Sequence, residues 1–411
     1  MTGDDGRVRV RVLEPIPFQE EGQDLVLLRD PVQVSAEMLV VSPVLLAMIS
    51  LLDGQRTVDQ ARAEFKRFSG ETFPSEELEK ILKRLDEAFF LDNSRFRQKH
   101  QQVLEEFRQE SVRQAFHAGQ SYPDQSAALA ELISSFYLDS AGAGVPGQAE
   151  SKPLRALIAP HIDLRLGGPC YSHAYRALAQ SAPPDLFVIL GTGHHGLPEM
   201  FSVALKDFET PLGTARVDRE FAQLLRGHIG GPEFGEDLTH RNEHTIEFQV
   251  VFLQHLLRGR PFKILPILVS FSYLDFELKE VAARQQRLFW TFVQALQKAE
   301  SESGRSICYI ASVDLAHMGP RYGDRFQPSQ EHIQKARARD VEMLNEVLAG
   351  SPGGFFDYVR AEEDRRRICG FSPLYTMLTL LQGRRGELLD HSQAVMDDSG
   401  SFVTFASAVV R

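Results

Sequence analysis

The stretch DLFVILGTGHHG, from Asp185 to Gly196, joins a short apolar run to two adjacent histidines, His194 and His195. An apolar run of this length, followed by glycines, is typical of a strand that is buried on both faces of a parallel sheet. Ligand-binding residues of open α/β sheets collect where such strands end. The stretch therefore predicts a core strand that carries an imidazole pair to the carboxyl edge of a sheet.

Four further apolar runs follow the same pattern, and helical stretches lie between them. They are LRALIAP, FKILPILVSF, SICYIASVD and the terminal SFVTFASAVV, which start at Leu154, Phe262, Ser306 and Ser401. Alternation of short strands with helices is the signature of βαβ units. We therefore predict an α/β fold in which a mainly parallel, layered sheet is flanked by helices on both faces.

The beginning of the chain has a different pattern, which predicts a small separate domain. One strand candidate, DLVLLRD, precedes three short helices, of which the first has Ser42 as N-cap and Pro43 at its first position. Thr57 and Gln60 have the spacing of a capping box. This order favours an α+β, winged-helix-like domain, and its turn LLDGQRTVDQ resembles the PqqD-like peptide-chaperone modules. A docking or stabilising role and specific peptide binding both remain open for it.

These patterns divide the chain into four parts. We expect an N-terminal extension over 1–23, the small domain over 24–94, a polar helical connector over 95–112 and the α/β domain over 113–411.

Composition limits the classes of function. A formal net charge of −11 gives no electrostatic support for a nucleic-acid partner. The three cysteines, Cys170, Cys308 and Cys369, are too few for a disulfide framework and indicate a reducing compartment. The first residues contain no apolar signal core, and the longest apolar run, LVVSPVLLAMISLL, is too short to span a bilayer. We therefore expect a cytoplasmic protein without a nucleic-acid or membrane partner.

Polar residues with metal-binding or acid–base chemistry follow three of the predicted strands. His161 and Asp163 come after ALIAP, the pair at His194 comes after FVILGTG, and Asp314 ends CYIASVD, with His317 close behind. A single histidine in such a position is usually a solvated loop residue. Three clusters at the same edge of one sheet predict a shared functional site.

Cys369 is the cysteine whose surroundings suggest chemistry. It follows three consecutive arginines, Arg365–Arg367, and precedes a predicted helix. Cationic neighbours and a helix N-terminus lower the pKa of a thiol, so we expect a reactive thiolate here. The alternative is a small buried hydrophobe, which fits Cys170 and Cys308 better because both lie inside apolar elements.

Six motifs occur in a characteristic order: FHAGQSYP, APHIDLRLGG, GTGHHG, NEHTIEFQVVFL, SVDLAHMG and ICGFSPL. Over about residues 110–411 this series resembles the Memo family, also called AmmeMemoRadiSam system protein B. That family is similar to the catalytic subunit of class III extradiol dioxygenases, which are non-haem iron enzymes. The resemblance implies a fold of that type, with the small N-terminal domain as an addition.

The resemblance also implies a metal site. Its ligands are His161, His194 and Cys369, and they leave coordination positions open for other molecules. The cofactor implied is one transition metal ion, with iron as the first choice and copper or zinc as alternatives. Catalytic residues are expected around the same pocket, namely Asp314, His317, His195, Glu243 and His244. The sequence departs from the family pattern at Asp163, which replaces a glycine and brings another carboxylate towards the proposed metal.

One motif raises a competing interpretation. His240, Glu243 and His244 form H-x-x-E-H, the inverted helix motif of a class of zinc proteases. In the Memo pattern E-H-[ST]-I-E, the position of His240 need not be histidine, and no third zinc ligand on a partner helix is evident. The expected role of Glu243 and His244 is therefore to orient metal ligands or relay a proton.

Three functions remain under consideration. The first is a metal-dependent oxidoreductase of the dioxygenase type, and the others are a non-catalytic metal carrier or peptide-binding partner and a metal-dependent hydrolase. The family name implies radical-SAM and AMMECR-type partner proteins. The substrate, a small molecule or a peptide, is not specified by these residues.

Overall fold

The computed structural model describes residues 6–147, 153–197, 199–231, 238–279 and 281–411 of the 411-residue chain. Contacts divide the chain into two compact units, Met1–Glu110 and Ser111–Arg411. Residues 1–5, which begin the expected N-terminal extension, lie outside the described residues.

The first unit is a small α+β structure. Its strands are β1 (Arg7–Arg9), β2 (Glu14–Glu20), β3 (Gln23–Arg29), β4 (Met38–Val41) and β5 (Asp53–Thr57). Its helices are α1 (Pro43–Ser50), α2 (Val58–Ser69), α3 (Ser75–Glu87) and α4 (Ser94–Gln109). Strands β2, β3 and β4 form an antiparallel sheet, and β1 pairs with β5. Strands β1 and β2 thus lie within the range of the expected extension, and α4 begins one residue before the expected connector and covers most of it.

Local capping explains where the helices of this unit begin. The Ser42 side chain accepts a hydrogen bond from the amide of Leu45 at the start of α1. Thr57 and Gln60 form the predicted capping box of α2, with reciprocal side-chain-to-backbone hydrogen bonds. These caps satisfy amides that have no partner inside a helix.

The second unit contains the large sheet. Its strands are β6 (Val112–Arg113), β7 (Ala156–Ala159), β8 (Leu186–Thr192), β9 (Phe201–Val203), β10 (Asp207–Thr210), β11 (Gly213–Val217), β12 (Lys263–Val269), β13 (Ile307–Ser312), β14 (His317–Met318), β15 (Gly386–Val395) and β16 (Phe402–Val410). The sheet order is β14-β16-β7-β13-β8-β12-β11-β10-β6, with β15 paired to β16 and β9 to β12.

The five strands predicted from apolar runs are β7, β8, β12, β13 and β16. Four of them, β7, β13, β8 and β12, are parallel neighbours at the centre of the sheet, whereas β16 runs antiparallel to β7. The predicted fold class, a mainly parallel sheet flanked by helices beside a small α+β unit, is therefore confirmed.

Helices cover both faces of this sheet. They are α5 (Ser126–Leu138), α6 (Leu164–Ala179), α7 (Arg219–Ile229), α8 (His244–Leu256), α9 (Ala282–Ser303), α10 (Gln330–Leu348), α11 (Pro352–Ala361) and α12 (Phe371–Leu380). Among the described residues, no helix has both the length and the apolar character needed to cross a membrane.

Two hydrophobic clusters lie on opposite faces of the sheet. Alternate residues of β8 belong to different clusters: Val188 packs in one with Phe292 of α9, and Ile189 packs in the other with Phe252 of α8. This alternation follows from the two-residue period of a strand. Because apolar clusters cover both faces of the sheet, its carboxyl edge is the part that can carry a group of polar side chains.

Candidate metal centre

His161 follows β7 and lies at the carboxyl edge of the sheet. Its Nδ1 donates to the Ser312 carbonyl at 2.9 Å, which leaves Nε2 as the nitrogen with a free lone pair. That Nε2 lies 3.2 Å from the sulfur of Cys369. Burial, aided by the neighbouring histidines, holds the pKa of His161 well below its usual range. The ring is therefore neutral at neutral pH, as a metal ligand must be.

His194 follows β8, and its ring centre lies 4.9 Å from that of His161. Its amide and Nδ1 both donate to the Glu243 carboxylate, at 2.9 and 3.1 Å. Burial opposes a charge on this ring, but the Glu243 carboxylate outweighs that effect and raises the pKa of His194. A carboxylate on Nδ1 fixes the ring orientation and presents Nε2 for ligation.

Glu243, the partner of His194, is also the N-cap of α8. Its carboxylate accepts the amides of His244 and Thr245 at 3.0 and 3.4 Å, and Nδ1 of His244 lies 3.1 Å away. Burial alone would raise the pKa of Glu243, yet the two imidazoles outweigh it and hold the pKa well below its usual range. The ring of His244 stacks on that of His194 at 5.0 Å.

The pKa of the Cys369 thiol differs from the one expected from the sequence. Burial raises the pKa of Cys369 well above its usual value, so the predicted lowering by neighbouring arginines is wrong. Each arginine is paired elsewhere: Arg365 with Glu363, Arg366 with Asp340 and Glu362, and Arg367 with Asp324. A bound cation, rather than these side chains, is what would deprotonate the thiol.

The loop before Cys369 has an unusual backbone. Glu363, Asp364 and Arg367 have φ values of 53°, 46° and 53°, a left-handed region that non-glycine residues seldom occupy. The buried ion pair of Arg366 with Asp340 fastens this loop to α10. Strain of this kind persists only where surrounding contacts impose it, so the ion pair helps to fix the position of Cys369.

Asp314 and His317 both follow β13, and Asp314 contacts the proposed ligand His161. Oδ1 of Asp314 accepts the amides of His161 and Ile162 at 3.0 and 3.2 Å. Burial raises the pKa of Asp314 to about 7, although these amides oppose the shift. His317 donates Nδ1 to the Leu315 carbonyl at 3.0 Å, and burial lowers its pKa to about 4.

The ligand atoms fit a transition metal ion. One donor atom each from His161, His194 and Cys369 lies within 4.8 Å of the others. Metal bonds of about 2.0–2.3 Å require donors roughly 3–4 Å apart, so small side-chain movements suffice. His194, Glu243 and His244 form a second group with the same spacing limit.

Two other predicted residues lie outside both groups of potential ligands found among the described residues. His195 is partly buried next to His194. Asp163 caps α6 by accepting the amide of Arg165 at 2.9 Å, and it also pairs with the Arg165 guanidinium at 2.7 Å. The Asp163 carboxylate is thus used in capping and ion pairing.

The H-x-x-E-H segment does not form one continuous α-helix. His240 lies on a short 3-10 helix, Leu238–Arg241, and α8 begins only at His244. Nε2 of His240 hydrogen-bonds Ser202 at 3.1 Å, whereas Nδ1 of His244 faces Glu243. The two histidines therefore do not present a shared pair of ligands of the protease type.

The histidine of FHAGQSYP, His117, has a place beside the candidate site that its motif does not indicate. Nε2 of His117 donates to the Asn242 carbonyl at 2.9 Å, and its ring lies edge-on to His244 at 5.7 Å. Glu247 of α8 accepts the amide of His117 at 2.9 Å and forms a buried ion pair with Arg113. The motif can be recognised in the sequence, but the hydrogen-bond partner of His117, the carbonyl of Asn242 125 positions away, cannot.

A cluster of two imidazoles and a thiol at the carboxyl edge of a mainly parallel sheet, in which His161 is buried and His194 is exposed, defines this chain as an α/β protein with a candidate transition-metal site. Residues 113–409 match the family model described as Memo-like protein. The chain belongs to the Memo family.

Relatives support this membership over different lengths. A MEMO1 family protein of Aquifex aeolicus is 30% identical over 389 residues, which cover 94% of this chain and 96% of the relative. A MEMO1 family protein of Pyrococcus furiosus is 30% identical over 308 residues, or 73% of this chain and 99% of the relative. One from Thermus thermophilus is 28% identical over 336 residues, or 82% and 93%. The alignment with the Aquifex protein is long enough to include residues of both units.

Proposed function

We propose that this protein is a metal-dependent oxidoreductase, dioxygenase-like in its chemistry, with one metal ion held by His161, His194 and Cys369. Iron is proposed first, with copper or zinc as alternatives, because sulfur and imidazole donors favour these ions over magnesium or calcium. The observation that carries the proposal is the 3.2 Å separation of Cys369 Sγ and His161 Nε2, with the His194 ring beside them.

The side chains around the ligands have distinct proposed tasks. The metal would supply redox or Lewis-acid chemistry when bound. Asp314 and His317 are the proposed acid–base pair, since Asp314 contacts the ligand His161 and its raised pKa of about 7 lets it both take up and release a proton near neutral pH, while the lowered pKa of His317 keeps that ring neutral. Glu243 holds His194 and His244 in fixed orientations through three hydrogen bonds or ion-pair contacts. His195, next to the ligand His194, is also a proposed catalytic residue.

The proposed substrate is a small molecule or a peptide, and the proposed setting is a modification pathway in the cytoplasm. A reducing compartment would keep the Cys369 thiol available as a ligand. Radical-SAM and AMMECR-type proteins are the proposed partners, on the strength of the family's association alone.

A non-catalytic metal carrier is the second candidate, because a thiol ligand such as Cys369 is common in proteins that bind and transfer soft metal ions. Oxygen consumption by the iron-loaded protein separates the two candidates when catechols, thiols and flavins are offered in turn. Turnover supports the oxidoreductase. Complete silence, together with capture of a radical-SAM partner, supports the carrier.

Metal content tests the site itself. After anaerobic purification we expect one transition metal ion per chain by elemental analysis, and its loss in His194→Ala and in Cys369→Ala. Cys308→Ala is the matched control, since Cys308 is buried inside β13. Circular dichroism should show that all three variants remain folded. Stoichiometric metal in both ligand variants would rule out the assignment.

A further inference from the structure

A short segment of backbone controls the position of Glu243. It runs from His240, in the short 3-10 helix, to Glu243, the N-cap of α8, and Glu243 carries the carboxylate that orients His194. The carbonyl oxygens of His240, Asn242 and Glu243 accept hydrogen bonds from side chains elsewhere. Arg113 donates to the carbonyls of His240 and Glu243, both at 3.0 Å, and His117 donates to that of Asn242 at 2.9 Å.

Both donors come from one short stretch near the start of the second unit, and they are firmly anchored. Arg113 is 1% exposed and forms an ion pair with Glu247, whose side chain is fully buried. The same carboxylate accepts the amides of Phe116 and His117 at 3.2 and 2.9 Å and the Tyr122 hydroxyl. Because a buried charge needs such partners, these contacts tie the stretch to Glu247 of α8.

The ring of His117 also contacts the candidate metal centre through His244. It lies edge-on to His244 at 5.7 Å, and His244 stacks on His194. The backbone of the His240–Glu243 segment and the ring of His244 are therefore both fixed by the same donor stretch.

We propose that Arg113 and His117 are positioning residues of the metal centre, which act through Glu243 on the ligand His194. We call this pair the α8 clamp. The inference rests on the proposed metal site. Groups that orient a ligand typically contribute about 10–100-fold to metal affinity, because a displaced imidazole loses bond geometry.

His117 is the residue to test, since loss of Arg113 would leave Glu247 buried without its cation. With Co²⁺ as the probe and a chelating indicator as competitor, we expect His117→Ala to weaken binding by about 10–100-fold. The sulfur-to-cobalt absorption band should persist because Cys369 is unchanged. His117→Gln, which retains a side-chain N–H for the Asn242 carbonyl, should recover most of the affinity.

His173→Ala is the matched control, because Nε2 of His173 also hydrogen-bonds a backbone carbonyl, that of Ala141, at 2.9 Å. It should bind Co²⁺ like the unsubstituted protein. Hydrogen exchange of metal-free protein gives a second measurement: the amide of His194, which donates to Glu243, should exchange several-fold faster in His117→Ala and unchanged in His173→Ala.

The outcomes separate the two proposals. If His117→Ala binds Co²⁺ as tightly as the unsubstituted protein while Cys369→Ala does not bind, the α8 clamp is wrong and the metal site stands. If the unsubstituted protein itself binds no Co²⁺, the proposed metal site is wrong, and the α8 clamp, which depends on it, is wrong as well. Equal loss of affinity in His117→Ala and His117→Gln, without faster exchange at His194, would also overturn the clamp.

Discussion

The sulfur of Cys369 lies 3.2 Å from Nε2 of His161, although 208 positions separate the two residues along the chain. Their meeting depends on β13, which pairs with β7 ahead of His161; two residues after β13, Asp314 contacts both partners. The amide of Gly370 donates to the Asp314 carbonyl at 3.0 Å and so holds the cysteine loop against this strand end. One strand terminus therefore aligns both ligands.

Thiol reactivity should report the burial of Cys369. Because burial raises its pKa well above the usual value, we expect slow alkylation in metal-free protein at pH 7 and a rate that still rises beyond pH 9. Mass spectrometry of iodoacetamide-treated protein locates the modified cysteine and separates it from Cys170 and Cys308. A rate that levels off near pH 6–7 would instead indicate a thiolate activated by the neighbouring arginines.

Ionisation of Asp314 should destabilise the metal-free protein. Its pKa is raised from 3.8 to about 7 on folding, so its contribution to stability is complete below about pH 4 and is lost as pH rises through 7. Asp314→Asn retains an oxygen for the amides of His161 and Ile162 and cannot ionise. We expect it to exceed the unsubstituted protein in stability at pH 8 by on the order of a few kcal/mol.

Urea unfolding with a chelator present, at pH 4, 6 and 8, measures this difference. It should be near zero at pH 4 and grow towards pH 8. An equal difference at all three pH values would mean that the effect of Asp314→Asn does not come from ionisation.

The ion pair that holds the cysteine loop should matter for stability. Asp340 is fully buried and Arg366 is 6% exposed, so Arg366→Ala leaves a buried carboxylate without its main partner. We expect a loss of about 3–5 kcal/mol in denaturant unfolding. Arg365→Ala is the control, because the exposed pair of Arg365 with Glu363 should contribute no more than about 1 kcal/mol. Similar losses in both variants would contradict a specific role for the buried pair.

Gly370 allows the cysteine loop to approach β13. A Cβ at this position would lie 2.5 Å from Cβ of Val313 and 2.7 Å from the carbonyl oxygen of Asp314. Gly370→Ala should therefore displace the loop, cost about 1–3 kcal/mol in stability and weaken Co²⁺ binding by moving Cys369. Gly353→Ala in α11, where an added Cβ meets nothing within 4 Å, should leave Co²⁺ binding unchanged and should not lower stability, because alanine favours a helix over glycine. Unchanged Co²⁺ affinity in Gly370→Ala would show that this close approach does not position the thiol.

Much of the large sheet could be predicted because each core strand is a contiguous apolar run. The stretch at Asp185 predicted β8 to within a residue or two at each end, and the run at Ser306 did the same for β13. Shorter or mixed strands gave no such signal. Strand β15 is partly exposed along most of its length, so its composition resembles that of a loop and only its pairing with β16 makes it a strand.

The candidate site could likewise be predicted only in part. The histidines after β7 and β8 could be recognised from their position behind apolar runs, since parallel strands bring their carboxyl ends to one edge. The surroundings of Cys369 could not, because three adjacent arginines suggest a lowered thiol pKa until their acidic partners are known.

The sequence by itself determined the α/β fold, the order of the core strands along the chain and the residue types that gather at their ends. Those features depend on local hydrophobic patterning and on which side chains can bind metal or exchange protons. Only the tertiary structure decided the charge and the contacts of these groups. It raises the pKa of the Cys369 thiol, pairs Glu243 with the imidazoles of His194 and His244, and joins His117 to the Asn242 carbonyl by a hydrogen bond. Burial and pairing between distant segments set these properties, and neither is encoded in any single stretch of residues.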